Sequence, residues 1–285
     1  MNDKTINVAS SGQFKIGGDL NINRLGYGAM RITGSGIWGP PENRNEAIRV
    51  LRRLPELGIN FIDTADSYGP NISEKLIAEA LHPYPAGMII ATKGGLTRPG
   101  PNKWVPNGRP EHLRASLEGS LRRLKAERID LYQLHRIDTE VPMEESLGVL
   151  KDAQKEGLIR HIGLSEVSTE QLEQATKTVE VATVQNMYNL GERRWEDSLK
   201  WCEKNNVGFI PWYPLSAGSI NSQKSIKNIA KKHEVSEYQV ALAWLLQRSS
   251  VMLPIPGTSS VKHLEENAAA ASLQLDKDDI RELEA

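Results

Sequence analysis

Cysteine is almost missing. Cys202 is the only one in 285 residues, which excludes an internal disulfide framework and a thiolate zinc cluster and points to a reduced, cytoplasmic compartment. There is no surplus of charge either. Thirty-five Lys and Arg stand against 36 Asp and Glu, a formal net charge of −1, so no bulk charge is available to neutralise nucleic-acid phosphates or hold an anionic membrane. Long apolar runs are absent as well. The longest, Val240 to Leu246, is seven residues, where a membrane span needs about twenty. The opening MNDKTINVAS has no apolar core of a secretory signal. Six histidines show no H-x-x-x-H spacing and no His/Cys pairing, so no metal site is expected. What is present, 39% apolar and 25% charged side chains, is the make-up of an ordinary soluble protein. The expected partner is a small molecule, and nothing in the sequence specifies an oligomer.

Apolar, β-branched segments alternate with helical stripes. Strands are expected at Arg24–Gly28, Asn60–Asp63, Met88–Thr92, Ile129–Leu134, Ile159–Leu164, Thr183–Asn186, Gly208–Pro211 and Met252–Ile255. Runs such as Met88-Ile89-Ile90-Ala91 suit parallel strands covered on both faces. Leu113, Leu117, Leu121 and Leu124 form one stripe on a helix opened by Pro110-Glu111. Trp195, Leu199 and Cys202 form another, as do Val261, Leu264, Ala268 and Ala271. Ser168 with Gln171 is a capping-box pattern, and Gly58 and Gly157 suit left-handed positions closing helices just before strands. Ser225 to His233 reads as an extra helix ahead of the apolar one at Glu237–Gln247. Eight strands, each followed by a helix, predict a (β/α)₈ barrel, an α/β fold of about 250 residues. Ile6–Val8 and Gln13–Ile16 read as an N-terminal β-hairpin at one end of it. Arg98–Pro110, with four prolines, reads as a βα loop. No stretch resembles a linker, so residues 1–285 are expected to form one domain.

In such a barrel the chemistry sits where strands end. The second strand ends at Asp63, with Tyr68 five residues on; the third runs into Lys93, and the fourth into His135. Taken singly, each has an ordinary structural use: a cap, a solvated amine, a packed ring, a satisfied imidazole. Their placement at three consecutive strand ends is the signal. A free phenol has a pKa near 10; an ammonium beside it favours the phenolate, and Asp63 would keep Lys93 charged. Tyr68 would then exchange a proton near neutral pH, with His135 orienting a substrate oxygen. No side chain donates hydride, so a cofactor is required.

The motifs around these residues resemble the aldo-keto reductases. Gly58-Ile-Asn-Phe-Ile-Asp63-Thr-Ala-Asp-Ser-Tyr68-Gly69 with Glu74 is similar to that family's first signature, and Ala91-Thr92-Lys93 and Leu134-His135 to its lysine and histidine segments. The likeness continues through Ile162-Gly-Leu-Ser165-Glu166, Val184-Gln185-Asn186, Pro211-Trp212-Tyr213-Pro214-Leu215 and Ile255-Pro-Gly257-Thr258-Ser259-Ser260 to His263 and Asn267. It implies a (β/α)₈ enzyme that reduces an aldehyde or ketone with NADPH in preference to NADH. Tyr68 would be the acid, Lys93 its activator, Asp63 the partner of Lys93, and His135 a carbonyl-positioning group. By the same resemblance Ser165 and Gln185 hold the nicotinamide carboxamide and Trp212 stacks on its ring. Leu215, Ala217 and Gly218 would follow the pyrophosphate, and Gly257, Thr258, Ser259, His263, Glu266 and Asn267 the adenosine end. This chain departs from the common pattern with Glu166 for an asparagine and Trp212 for a tyrosine. Gly257 and His263 stand where many members carry basic residues, with Lys262 nearby. The Pro-Gly-Thr-Ser-Ser pattern resembles a bacterial branch that includes pyridoxal reductases.

Gly34-Ser-Gly36-Ile-Trp-Gly39 formally matches a dinucleotide-binding G-x-G-x-x-G, but Pro40-Pro41 follows instead of the helix that such a site needs. Trp38, Trp104 and Tyr188, in loops after the first, third and sixth strands, are expected to form an aromatic wall for a hydrophobic carbonyl compound. Two other functions fit the same fold: an aldolase forming a Schiff base on Lys93, or a sensor subunit that binds the cofactor without turnover.

Overall fold

A hairpin precedes the alternating part of the chain, one strand later than its sequence suggests. In the computed structural model, which describes residues 6–215 and 224–285, β1 (Gln13–Ile16) pairs antiparallel with β2 (Leu20–Asn23), Ile16 opposite Leu20. Val8–Ser11, the region before β1, is a 3₁₀ turn instead of a strand. Asn7 explains this: its side chain accepts from the backbone N–H of Ala9 at 2.8 Å, a local bond that competes with strand pairing. Phe14, Ile16, Leu20 and Ile22 face inward and the residues between them face out, apart from the half-buried Asn23. Asn23 ties the hairpin to the opposite end of the barrel from the site, donating to the carbonyl of Gly58 at 2.7 Å.

Strands and helices then alternate: β3 (Tyr27–Gly28), α1 (Arg44–Arg53), β4 (Phe61–Asp63), α2 (Ile72–Leu81) and β5 (Ile89–Gly94). A hairpin of β6 (Leu96–Gly100) and β7 (Lys103–Pro106) interrupts the alternation. Next come α3 (Pro110–Leu124), β8 (Ile129–Leu134), α4 (Met143–Lys155), β9 (Ile159–Ser165), α5 (Thr169–Ala175), β10 (Val181–Met187), α6 (Glu196–Asn205) and β11 (Gly208–Trp212). Four helices complete the described chain: α7 (Lys224–His233), α8 (Glu237–Arg248), α9 (Val261–Ala269) and α10 (Lys277–Glu284). The main sheet is parallel throughout, in the order β11-β10-β9-β8-β5-β4-β3. All six residues of β5 are buried, as are nearly all of β8 and β10, which a parallel sheet with both faces covered requires.

Met252–Ile255, the expected eighth strand, is not a regular strand but still closes the curl. Phe209 of β11 donates to Val251 and accepts from Leu253, both at 2.8 Å. On the other side Gly26 donates to the carbonyl of Pro254 at 2.9 Å and Gly28 to that of Pro256 at 3.4 Å. Pro254 and Pro256 have carbonyls to offer but no N–H, so the ladder runs one way only. Parallel strands, outer helices and this closing segment make an α/β barrel of the (β/α)₈ kind.

Helix ends follow local chemistry. Both sides of the capping box at Ser168 and Gln171 are formed, and a second box, at Ser236 and Gln239, opens α8. Gly58 and Gly157 take left-handed φ values of 74° and 81°, at no steric penalty to a residue lacking Cβ. Among the described residues no helix is long and apolar enough to cross a membrane.

Candidate active site

The strand ends deliver Asp63, Lys93 and His135 to one rim, and the loop after β4 returns Tyr68 to the same point. All four side chains are buried. Lys93 Nζ donates to Asp63 Oδ2 at 2.6 Å, to the carbonyl of Thr64 at 2.8 Å and to Tyr68 Oη at 3.3 Å. An ammonium has three N–H groups and no lone pair, so all its donors are assigned. The phenol oxygen is therefore an acceptor toward Lys93, and its own hydrogen is left to point elsewhere. Tyr68, Trp104 and His135 stand edge to face, with ring centroids 5.9 to 6.3 Å apart. His135 Nδ1 lies 3.3 Å from Ser67 Oγ.

The electrostatics correct one expectation. Burial raises the pKa of Tyr68 more than Lys93 lowers it, and the net value lies above the ordinary phenol range. Tyr68 is thus a protonated phenol at neutral pH: Lys93 offsets the desolvation without turning the group into a phenolate. Burial works to discharge Lys93, but the attraction of Asp63 and Tyr68 outweighs it and leaves the pKa above that of a free lysine. His135 is held neutral, its pKa pushed well below the usual range by burial first and by Lys93, Arg136 and Arg98 beside it.

These groups open onto a cavity of about 680 Å³. Ser165, Gln185, Trp212, Leu215 and Gly257 line it with Asp63, Tyr68 and His135. Trp104 lines it too, but the other two expected wall residues do not. Trp38 is 37% exposed and off the lining, while its neighbour Ile37 faces the cavity. Tyr188 is fully buried and turned away, stacked on Trp244 at 6.1 Å and donating to Glu196 at 2.6 Å. Thr258, Ser259, His263, Glu266 and Asn267 lie beyond the cavity, on the turn into α9 and along it; Ser259 and His263 are exposed and Thr258 and Asn267 buried. Ala217 and Gly218 lie outside the described residues. Gly34–Gly39 forms a tight turn whose Trp38 bridges to Gly69, with no helix start for a phosphate.

Several contacts were not read from the sequence, although Gln185 and Glu166 were singled out there for other reasons. Gln133 and Gln185 both donate to Asp63 Oδ1, at 2.9 and 2.8 Å, so this carboxylate is fully engaged. Glu166 Oε1 accepts from Trp212 Nε1 at 2.6 Å and from the backbone of Met187 at 2.7 Å, fixing the plane of the indole. Arg98 reaches from the β6–β7 hairpin, 3.5 Å over the Trp104 ring, and donates to the carbonyls of Gly36, Ile37 and Ser67. Gln133 was signalled by its place, a polar residue among the last, buried positions of its strand and two residues before His135. Arg98 lay in a segment read as plain loop. Ser165, Gln185 and the pinned indole line the same cavity, two polar side chains together with one aromatic ring. Among the described residues no group of three or more His, Cys, Asp or Glu side chains is placed to hold a metal ion.

Comparison with known proteins follows the same outline. The model of the Aldo/keto reductase family matches residues 24–285. An uncharacterised oxidoreductase of Schizosaccharomyces pombe is 52% identical over 271 residues, 95% of this chain and 88% of the relative. Pyridoxine 4-dehydrogenase of Escherichia coli is 40% identical over 275 residues, 94% of this chain and 96% of the relative. Among solved structures, an aldo-keto reductase from Klebsiella pneumoniae in complex with NADPH superposes with a TM-score of 0.80 at 26% identity, covering 95% of this chain and 93% of that one.

Proposed function

The chain belongs to the aldo/keto reductase family, and from that premise we propose that it is an NADPH-dependent oxidoreductase that reduces an aldehyde or ketone to an alcohol, its whole length acting as one barrel domain. The observation that carries this reading is the assignment of all three Lys93 donors, which leaves the Tyr68 hydroxyl hydrogen free toward the cavity. A substrate carbonyl oxygen seated there accepts that hydrogen bond, and Tyr68 delivers the proton as the oxygen gains charge. Lys93 stabilises the phenolate left behind, and Asp63, held by Gln133 and Gln185, keeps Lys93 in place. Neutral His135 offers a second hydrogen bond to the same oxygen.

The residues present fit a nicotinamide. A carboxamide needs one acceptor and one donor from the protein. The amide nitrogen of Gln185 is turned to Asp63, so its carbonyl oxygen would be the acceptor, and the Ser165 hydroxyl would be the donor. Trp212, locked by Glu166, offers a ring face. Leu215, Ala217, Gly218, Gly257, Thr258, Ser259, His263, Glu266 and Asn267 would hold the rest of the dinucleotide. When bound, NADPH supplies the hydride for the carbonyl carbon. NADPH is preferred to NADH on the family's habit and on the Klebsiella relative solved with NADPH.

A Schiff-base aldolase is disfavoured, because that chemistry needs a neutral amine and Lys93 is a buried, ion-paired ammonium. The test is a steady-state screen of aldehydes, quinones and pyridoxal with both nucleotides. Carbonyl-dependent oxidation of NADPH is expected; tight binding of the nucleotide with no oxidation across the panel would refute the enzyme reading in favour of a sensor.

A further inference from the structure

Arg136 directly follows His135, lines the cavity and belongs to no ion pair among the described residues. Its Nη1 donates to the carbonyl of His135 at 2.6 Å and to Ser165 Oγ at 2.9 Å, which pins one edge of the guanidinium to the rim. Its Nε and Nη2 have no protein acceptor among the described residues. The rim acids are engaged elsewhere: Asp63 with Lys93 and two glutamines, Glu166 with Trp212 and Met187. The segment 216–223 contains no Asp or Glu. The indole of Trp212, its ring centroid 5.9 Å from the guanidinium carbon, gives a contact at the outer limit of a cation–π distance. Arg98 adds a second cation near the mouth, but its hydrogen bonds go to backbone carbonyls. Arg31 also lines the cavity without an ion pair among the described residues, but it is exposed; Arg136 is the partly buried cation that keeps donors in reserve.

A partly buried guanidinium whose neighbouring carboxylate, Glu166, is hydrogen-bonded elsewhere and makes no direct ion pair with it keeps donors for an incoming anion, and its planar fork suits a carboxylate or similar oxyanion. We propose that Arg136 is the anion-binding group of this site, and that the preferred substrates are carbonyl compounds bearing a negatively charged substituent. This deepens the reductase reading and rests on it. A phosphate of the dinucleotide offers the same chemistry, so the two sources must be told apart.

The probes are para-carboxybenzaldehyde and para-nitrobenzaldehyde, and their meta isomers, which are alike in shape and differ by one charge; the nitro compounds are the more electron-poor, so each is compared only with itself between native enzyme and variant. Steady-state constants are compared for the native enzyme, Arg136→Met and Arg136→Lys, and NADPH affinity is titrated for each. A hydrogen-bonded charge pair predicts that Arg136→Met lowers kcat/KM for the better carboxylate isomer roughly 10- to 100-fold, mostly through KM. The matching nitro compound should change by less than about 3-fold and NADPH affinity by no more, with Arg136→Lys recovering part of the loss. Equal losses for both aldehydes overturn the proposal. So does weakened NADPH binding with unchanged discrimination, which assigns the anion to the dinucleotide. Calorimetric titration with para-carboxybenzyl and para-nitrobenzyl alcohol reads the site without turnover. Equal affinity of native protein and Arg136→Met for the carboxylate overturns it, whereas failure to reduce any aldehyde refutes the reductase reading instead.

Discussion

Asp63 and Asp66 stand three residues apart on one turn of chain, both buried, yet in opposite conditions. Asp63 faces the cavity and is satisfied on both oxygens, by Lys93 on one and by Gln133 and Gln185 on the other. Asp66 points behind the sheet, where its Oδ1 has no partner, as is also true of the hydroxyl of Tyr132. Burial, and then the Glu74 carboxylate, push the pKa of Asp66 up to about 7. Burial alone therefore does not mark a working carboxylate. Three donors converge on Asp63, and its ion pair with Lys93 holds that amine against Tyr68. Asp66 sits near Glu74, whose charge is already taken by Arg123 at 2.6 Å and Thr92 at 2.6 Å, and holds its proton instead.

The comparison breaks most visibly at Lys93. Lys93→Met leaves the Asp63 charge buried without its cation, and a loss of about 3–5 kcal/mol in urea unfolding is expected. Adding Asp63→Asn to that variant should recover much of it, since no unpaired charge remains; a double variant no better than the single one would mean that Asp63 does not depend on Lys93.

Asp66 should respond in the opposite sense. The folded state keeps the Asp66 proton up to about pH 7, whereas an unfolded aspartate releases it near 3.8. The folded protein binds more protons between those values, so this group's contribution to stability is complete at low pH and declines as pH rises through the window. Asp66→Asn should flatten that decline in unfolding free energies measured across the range, and an unchanged slope would assign it to another group.

The smallest effect is expected at Glu166. Glu166→Ala removes one hydrogen bond to the Trp212 indole, about 1 kcal/mol, or roughly 5-fold in NADPH affinity. Glu166→Gln keeps an acceptor and should lie closer to the native value. Equal losses in both variants would show that charge, and not the fixing of the ring, is what matters.

The sequence exposed the parts of this site that a strand end dictates. Asp63, Lys93 and His135 close apolar runs, and that position alone brings them to one rim. What it hid depended on long-range geometry or on local competition. The Asn7 side chain captured Ala9 and displaced the expected hairpin, and the Pro-rich stretch after β5 concealed β6 and β7, together with the reach of Arg98 across the rim. Pro254 and Pro256 left the eighth segment with carbonyls only on the side facing Gly26 and Gly28, so it closes the barrel without forming a regular strand. Tyr188 read as a wall residue because it follows a strand end, but its ring found a buried partner in Trp244. The pKa of Tyr68 was misjudged because proximity of a cation is visible in a motif and the extent of burial is not.

The proton of Tyr68 is the most direct point of attack. Turnover and NADPH affinity should be measured together in Tyr68→Phe, which removes the hydroxyl and keeps the ring. Affinity within about 3-fold of native with turnover reduced about 10²-fold or more is expected; native turnover in that variant would contradict the role of Tyr68 as the acid.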